Sequence, residues 1–381
     1  MRVLHAYKVY MPDMIGGIPQ VIAGLATAMA PDIESRVLVC SHAPQQTTEA
    51  DTGIERVRSW ADLLSMPIAP TYPLALKRAA AKADIVVAHQ PFPLNDAGIA
   101  LGLPDRVALV IHWHSEVVGR RAIMAALAPI IRHALRRADA IVVSDGSMIS
   151  TSRYLRPQAQ KCSIVPFGTD VDYWGGVDER QQAEVERLRQ AHPRLVVATG
   201  RLVPYKGFLS LARALPEVDA TVMIVGEGPL KSKLEQLAKR MGVADRLFLK
   251  GLMTRDQLKV LLHAARVFAF PSIASQETFG IAQIEAMAVG LPIVNTALAT
   301  GVPNVARHGI EAITVPPNEP AALASAIRQL LDDGILARRL GHAAWQRARA
   351  EYGWAEFVSR MRIVYCKALE NRARAAVPLR K

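Results

Sequence analysis

What most limits the fold of this chain is an alternation. Short apolar runs, each followed by a stretch with helical spacing, recur from one end to the other. In the first half the runs fall at 3–7, 36–40, 85–88, 107–112 and 140–144. In the second they fall at 195–199, 221–225, 247–249, 267–270, 293–295 and 313–315. Runs so short and so uniformly apolar read as strands inside a parallel sheet. Two such series, similar in size and without an obvious repeat, predict an α/β chain with two Rossmann-like domains facing one cleft. The expected boundaries are 1–174 for the first domain, 175–194 for a polar, charged linker, 195–353 for the second domain and 354–381 for a long amphipathic C-terminal helix. Residues 45–73 are irregular, and no elements are assigned there.

Composition narrows the class. The 381 residues are 51% hydrophobic, enough for sizeable cores. Cys40, Cys162 and Cys366 lie too far apart to make a metal set or a disulfide framework, which fits a reducing, cytoplasmic setting. Met1 and Arg2 lead straight into a strand-like run, so no signal peptide is read. No apolar run approaches the ~20 residues of a membrane span. Lys and Arg outnumber Asp and Glu, 46 against 34, which suits an anionic partner. Nucleic acid is the weakest such partner: no helix-turn-helix, zinc or RNP-like pattern stands out, and aromatics are 6% of residues.

The most informative stretch is 268–293, FAFPSIASQETFGIAQIEAMAVGLPI. A buried strand is followed by a polar loop and then a helix from about Phe279, ended by Gly290 and Pro292. A strand end, Gly280 and a helix N-terminus make a place for phosphate, because unpaired N–H groups and the helix dipole point outward there. Glu277 and Glu285 stand eight positions apart beside it. Carboxylates accept hydrogen bonds from sugar hydroxyls, so phosphate plus two acids suggests a nucleotide sugar.

Other stretches fit that picture. After the run at 195–199 comes GRLVPYKG, with Arg201 and Lys206 in a loop flanked by Gly200 and Gly207. Two fixed cations could answer the charge that builds on a departing diphosphate. Gly16 and Gly17 sit at a loop–helix junction, where glycine lets a ligand approach the backbone; a plain turn is the alternative. The spacing is not a dinucleotide fingerprint. At the end of the run at 107–112, VIHWHSEVV puts His112 and His114 on one face if the strand continues. Residues 118–139 form a basic amphipathic segment in which Ile123, Leu127, Ile130, Ile131 and Ala134 follow helical spacing, and Pro129 must kink or divide it. It could lie on an anionic bilayer or face a core. The hydroxyl-rich residues 144–152 could line a groove or cap a helix. VGEGP, which includes Gly226, is a tight turn after the run at 221–225.

The pattern FPS…ETFG…EAMA…GLP resembles the E-x7-E element of the retaining glycosyltransferases of family 4 type, which have the GT-B fold. The resemblance implies that Glu277 contacts the donor sugar and Glu285 the ribose, within a donor-binding element that includes Thr278, Phe279 and Gly280. It implies a diphosphate clamp from Arg201 and Lys206, phosphate contacts from Gly16 and Gly17, and a place for Gly226 near base or ribose. It selects His114 as the histidine that hydrogen-bonds the donor sugar and leaves His112 to packing. Glu116 stands where the family commonly has Asp. The catalytic set is then His114, Arg201, Lys206 and Glu277, and the last helix returns to the first domain. The implied activity is retaining hexosyl transfer from a UDP-hexose or GDP-mannose to a hydroxyl of a glycan or lipid-linked glycan, in cell-envelope polysaccharide or lipopolysaccharide synthesis. No metal and no cofactor are implied, and the setting is cytoplasmic, with peripheral membrane contact through 118–139 left open. A sugar-nucleotide epimerase of the same fold and a non-catalytic nucleotide-sugar-binding scaffold remain as rivals.

Overall fold

The computed structural model describes residues 1–11, 17–43, 47–49, 52–63, 66–116 and 121–376. The chain divides into two compact units, residues 1–168 with 354–381, and residues 169–353.

The first unit holds β1 (Arg2–Ala6), β2 (Glu34–Ser41), β3 (Thr47–Glu49), β4 (Thr52–Arg58), β5 (Ala61–Leu63), β6 (Met66–Ile68), β7 (Ile85–Gln90), β8 (Ala108–Trp113), β9 (Ala140–Val143) and β10 (Cys162–Ile164). Among the described residues they form an eight-stranded sheet in the order β10-β9-β8-β7-β1-β2-β4-β3, with β5 and β6 paired separately. All its pairs are parallel except β3 with β4. The order reverses direction between β1 and β7, the topological switch point at which ligands of such sheets gather, outside the carboxyl ends of the strands. β7 and β8 are buried along their whole length, which is why they read as unbroken apolar runs. β3 to β6 occupy the stretch that periodicity left unassigned: β3, β5 and β6 are three residues each, and only the longer β4 joins the parallel ladder of β2.

The second unit holds β11 (Leu195–Thr199), β12 (Thr221–Val225), β13 (Leu247–Leu249), β14 (Val267–Phe270), β15 (Ile293–Thr296) and β16 (Ala312–Val315). Its all-parallel order is β13-β12-β11-β14-β15-β16, so its switch point lies between β11 and β14. Each unit has its own apolar core, around Val86, Leu109 and Ile141 in the first and Val196, Ile224 and Ala269 in the second.

One expectation needs correction, and two readings that were left open narrow. Residues 175–194 are not a linker. They hold the helix Glu179–Ala191, started by an Asp178–Gln181 capping box and belonging to the second unit, which begins at Thr169 rather than after residue 174. Only Val185 of that helix is buried, so its polar sequence hid its periodicity. Pro129 does not divide the basic segment: Arg121–Arg137 is one helix with the proline inside it. Its inward face is Met124, Ala128, Ile131, Ala134 and Leu135, whereas Ile123 is 45% exposed. The hydroxyls of 144–152 lean to the capping alternative: Ser150 and Thr151 donate to the Ser147 carbonyl, and Ser152 accepts from the N–H groups of Tyr154 and Leu155.

The helix Trp354–Ala376 packs on the first unit. The Trp354 ring lies over Gly24 so closely that a Cβ there would come within 2.0 Å of it, and Asn371 donates to the Asp139 carbonyl at 2.9 Å.

Candidate active site

The loops that follow β11 and β14 meet at the switch point of the second unit. The turn Pro204–Lys206 ends at Gly207, whose φ of +71° is left-handed. A Cβ on Gly207 would lie 1.8 Å from the Pro271 carbonyl oxygen, so only glycine lets the two loops touch. Ile273 N–H donates to the Tyr205 carbonyl at 2.7 Å and ties them together. The result is an ion pair: Lys206 Nζ lies 2.5 Å from Glu277 Oε2, with the side chains only 15% and 11% exposed. Ser272 Oγ donates to the same oxygen at 3.2 Å. The ammonium also sits over the rings of Phe270 and Tyr205, at 5.3 and 5.6 Å. Burial pulls the Lys206 ammonium down and Glu277 outweighs it, so its pKa is raised on balance. Arg201, exposed in the same loop, adds a second positive field felt by Lys206 and Tyr205.

Beside the pair begins the helix Ile281–Val289. Gly280 stands at its N-cap with φ +88°, no side chain caps it, and no acid occupies its first turn. A helix end in this state suits an anion. A buried polar chain holds the helix start: Gln283 Nε2 donates to the Phe279 carbonyl, Asn295 Nδ2 to Gln283 Oε1 at 2.9 Å, and Thr314 Oγ1 to Asn295 Oδ1 at 2.7 Å. Glu285, about one turn in, is half-buried. Burial pushes its carboxyl up to about 7, against the opposing pull of Arg255.

The other expected residues divide. The Thr278 carbonyl accepts from Gly301 N–H at 2.9 Å. The Phe279 ring is packed edge-on against Tyr352, so what it can offer a ligand is backbone. Gly226 shapes the loop: its N–H already donates to the Gly251 carbonyl, and a Cβ on it would lie 2.1 Å from the Gly200 oxygen. In the first unit, Gly17 is the exposed first residue of the helix Gly17–Met29, and Gly16 lies outside the described residues. His114 follows β8 directly, is buried, and its Nε2 lies 2.8 Å from Nδ1 of His89. Glu116 accepts from the Trp113 indole at 3.2 Å. Sequence reasoning missed Ser272, Tyr205, Arg255, His5 and His89. The two histidines lay near the ends of recognised strands, but strand order is what brings them together. A cavity of about 1100 Å³ lies elsewhere, around Arg2, Glu34, Arg36 and Lys82. Two of its charges are already paired, Arg2 with Asp84 and Arg36 with Glu34.

Residues 15–173 match the family Glycosyltransferase Family 4 and residues 179–347 match Glycosyl transferases group 1. The chain is 31% identical over 353 residues to the D-rhamnosyltransferase WbpZ of Pseudomonas aeruginosa, covering 92% of this chain and 91% of that one. The chain belongs to the family 4 glycosyltransferases. It is also 27% identical to the O-antigen chain mannosyltransferase C of Escherichia coli, over 98% of this chain and all of the other. Among solved structures, sucrose-phosphate synthase from Thermosynechococcus elongatus superposes with a TM-score of 0.82 at 22% identity, over 97% of this chain and 99% of that one. This glycosyltransferase therefore has the GT-B fold, with a parallel sheet in each of two Rossmann-like units.

Proposed function

We propose that this glycosyltransferase is a retaining, metal-independent hexosyltransferase. It takes a sugar from a nucleoside-diphosphate hexose and gives it to a hydroxyl of a glycan or lipid-linked glycan in cell-envelope polysaccharide synthesis. The observation that carries the reading is the Lys206–Glu277 pair at the switch point, with Arg201 and an uncapped helix start beside it. Lys206, Arg201 and the N-terminus of Ile281–Val289 would take the diphosphate, Glu277 a sugar hydroxyl and Glu285 the ribose. Charge on the departing diphosphate is then met by fixed cations where it develops. Glu277 is held by Lys206 and Ser272, which suits an acceptor of hydroxyl protons better than a covalent nucleophile. A front-face displacement follows, in which the diphosphate itself takes the acceptor's proton.

The relatives named above act as a D-rhamnosyltransferase and a mannosyltransferase. D-rhamnose is 6-deoxymannose, so a manno-configured donor is favoured, GDP-mannose ahead of the UDP-hexoses. The exposed Ile123 and the arginines of Arg121–Arg137 fit contact with an anionic bilayer on the cytoplasmic side. The test is a thermal-shift screen of nucleoside diphosphates and nucleotide sugars, followed by transfer to lipid-linked acceptors. A cognate ligand at 100 times its Kd should stabilise by about 2.7 kcal/mol. No shift with any nucleotide sugar would remove the proposal.

A further inference from the structure

Arg255 is the exposed first residue of the helix Arg255–Ala264, which follows β13 after a short loop and is started by a Thr254–Gln257 capping box. That loop belongs to the same rim as the turn of Lys206. Gly200 N–H donates to the Val225 carbonyl at 2.9 Å, Leu202 N–H to the Glu227 carbonyl at 2.8 Å and Gly226 N–H to the Gly251 carbonyl at 2.8 Å. The loops after β11, β12 and β13 are thus bonded in series along the carboxyl edge of the sheet, where ligands gather.

The side chain is held in place. Arg255 Cζ lies 4.2 Å from the centre of the Tyr173 ring and 5.4 Å from that of Trp174. Tyr173 is itself fixed: its hydroxyl donates to Asp256 Oδ1 at 2.8 Å, and Lys259 Nζ lies 4.4 Å from the same ring. The short helix Val171–Gly175, which carries both aromatics, packs on Ile281–Val289. A Cβ on Gly175 would lie 3.3 Å from the Ala288 carbonyl oxygen. Arg255 is thereby brought beside the helix of Glu285. Burial raises the Glu285 carboxyl and the charge of Arg255 opposes it, yet the two make no ion pair. Rings hold a guanidinium by its flat face. Its N–H donors lie in its own plane, and none has an acceptor among the described residues.

We propose that Arg255 reads the nucleobase of the donor and selects guanine. This deepens the proposed function and rests on the ribose role given there to Glu285. A ribose bound at Glu285 carries its base into the neighbourhood of a planar, fixed cation that is not committed to the carboxylate. Guanine presents O6 and N7, two acceptors side by side, and these match the guanidinium fork. Adenine sets an amino donor beside N7, and uracil offers O4 alone, so neither fills both prongs. Two other roles fit less well. A counter-charge for Glu285 would pair with it. A further diphosphate ligand would repeat what Lys206, Arg201 and the uncapped helix start supply.

The test is isothermal titration of the intact chain with GDP, ADP, UDP and 7-deaza-GDP, in which a C–H group replaces N7. Wild type should bind GDP about 10- to 100-fold more tightly than ADP or UDP, the worth of one bidentate contact. Arg255→Ala should bring GDP down to the level of UDP and change UDP and ADP little. Loss of N7 should weaken binding about 10-fold in wild type and not at all in Arg255→Ala. Arg255→Lys keeps the charge near Glu285 without the fork, and should lose the guanine preference as the alanine variant does. Equal weakening of GDP and UDP by Arg255→Ala overturns the proposal. So does 7-deaza-GDP that binds wild type as tightly as GDP, a result that needs no variant to fold. UDP preferred over GDP also overturns it, and leaves the proposed function standing with a uridine donor. Failure of every nucleoside diphosphate to bind overturns the proposed function itself.

Discussion

Lys206 and Glu277 neutralise each other where both side chains are largely buried, and that makes each dependent on the other. Lys206→Ala should lower turnover about 10²–10³-fold, as loss of a preorganised charge does. It also strands a buried carboxylate, at a cost of about 3–5 kcal/mol in urea denaturation. The double variant Lys206→Ala with Glu277→Ala should be more stable than Lys206→Ala alone; a strictly additive cycle would show that the pair is not coupled. Glu285 sets a pH dependence. Its carboxyl titrates near 7 in the folded chain instead of 4.5, so the native state holds the proton more tightly than the unfolded state. Stability from this group is therefore present below about pH 4.5 and is lost as pH rises through 7. On the ribose role proposed for Glu285, donor binding runs the opposite way, because the carboxylate is the stronger acceptor for ribose hydroxyls: affinity should fall from pH 8 to pH 6 in calorimetric titrations, and Glu285→Gln should flatten both trends. Glu277, Lys206 and Arg201 were legible because their spacing in the chain matches a known element. Arg255 and His89 were not, because each acts on a residue that only tertiary structure brings near, and Ser272, five positions before Glu277 in the same loop, carries no spacing signal of its own.

At the scale of elements, the loops after β11 and β14 work as one piece, and Gly207 is where they join. Gly207→Ala would add the strain of a left-handed alanine, roughly 1–3 kcal/mol, to a collision with the Pro271 carbonyl. Turnover should drop even where circular dichroism reports an intact fold, because the displaced turn carries Lys206 away from Glu277. Wild-type turnover in that variant would mean that the loops tolerate separation. The strands were readable from sequence because both faces of each sheet are covered, leaving no polar alternation to confuse the pattern. The helix Glu179–Ala191 was misread for the opposite reason. With a single buried valine, it offers almost no apolar stripe, and its capping box was the signal that could have found it. The proline inside Arg121–Arg137 left a kink and a break equally open from sequence, and packing by Met124, Ala128 and Ile131 keeps the helix whole despite the hydrogen bond that a mid-helix proline removes.

For the molecule as a whole, two cores mean two unfolding events rather than one. The features proposed to hold the diphosphate lie in residues 169–353, so calorimetry with a cognate nucleoside diphosphate should raise the transition of that unit first. An equal rise of every transition would contradict this assignment. Two Rossmann-like units were visible in the sequence as two series of apolar runs. Composition and periodicity did not mark where one unit ends and the next begins, because the boundary at 168/169 falls inside a stretch with no change of composition. That boundary has a counterpart at Gly353: Thr169 and Gly353 form an isolated parallel bridge, and Thr169 N–H donates to the Tyr352 carbonyl at 2.8 Å. The chain thus leaves its first unit and re-enters it through neighbouring positions, and the helix that covers Gly24 is translated after all 185 residues of the second unit, 169–353. On the ribosome, the unit begun first is the one finished last. Nascent chains stalled at residue 353 should carry a protease-resistant second half and a first half still open to cleavage, waiting for its closing helix.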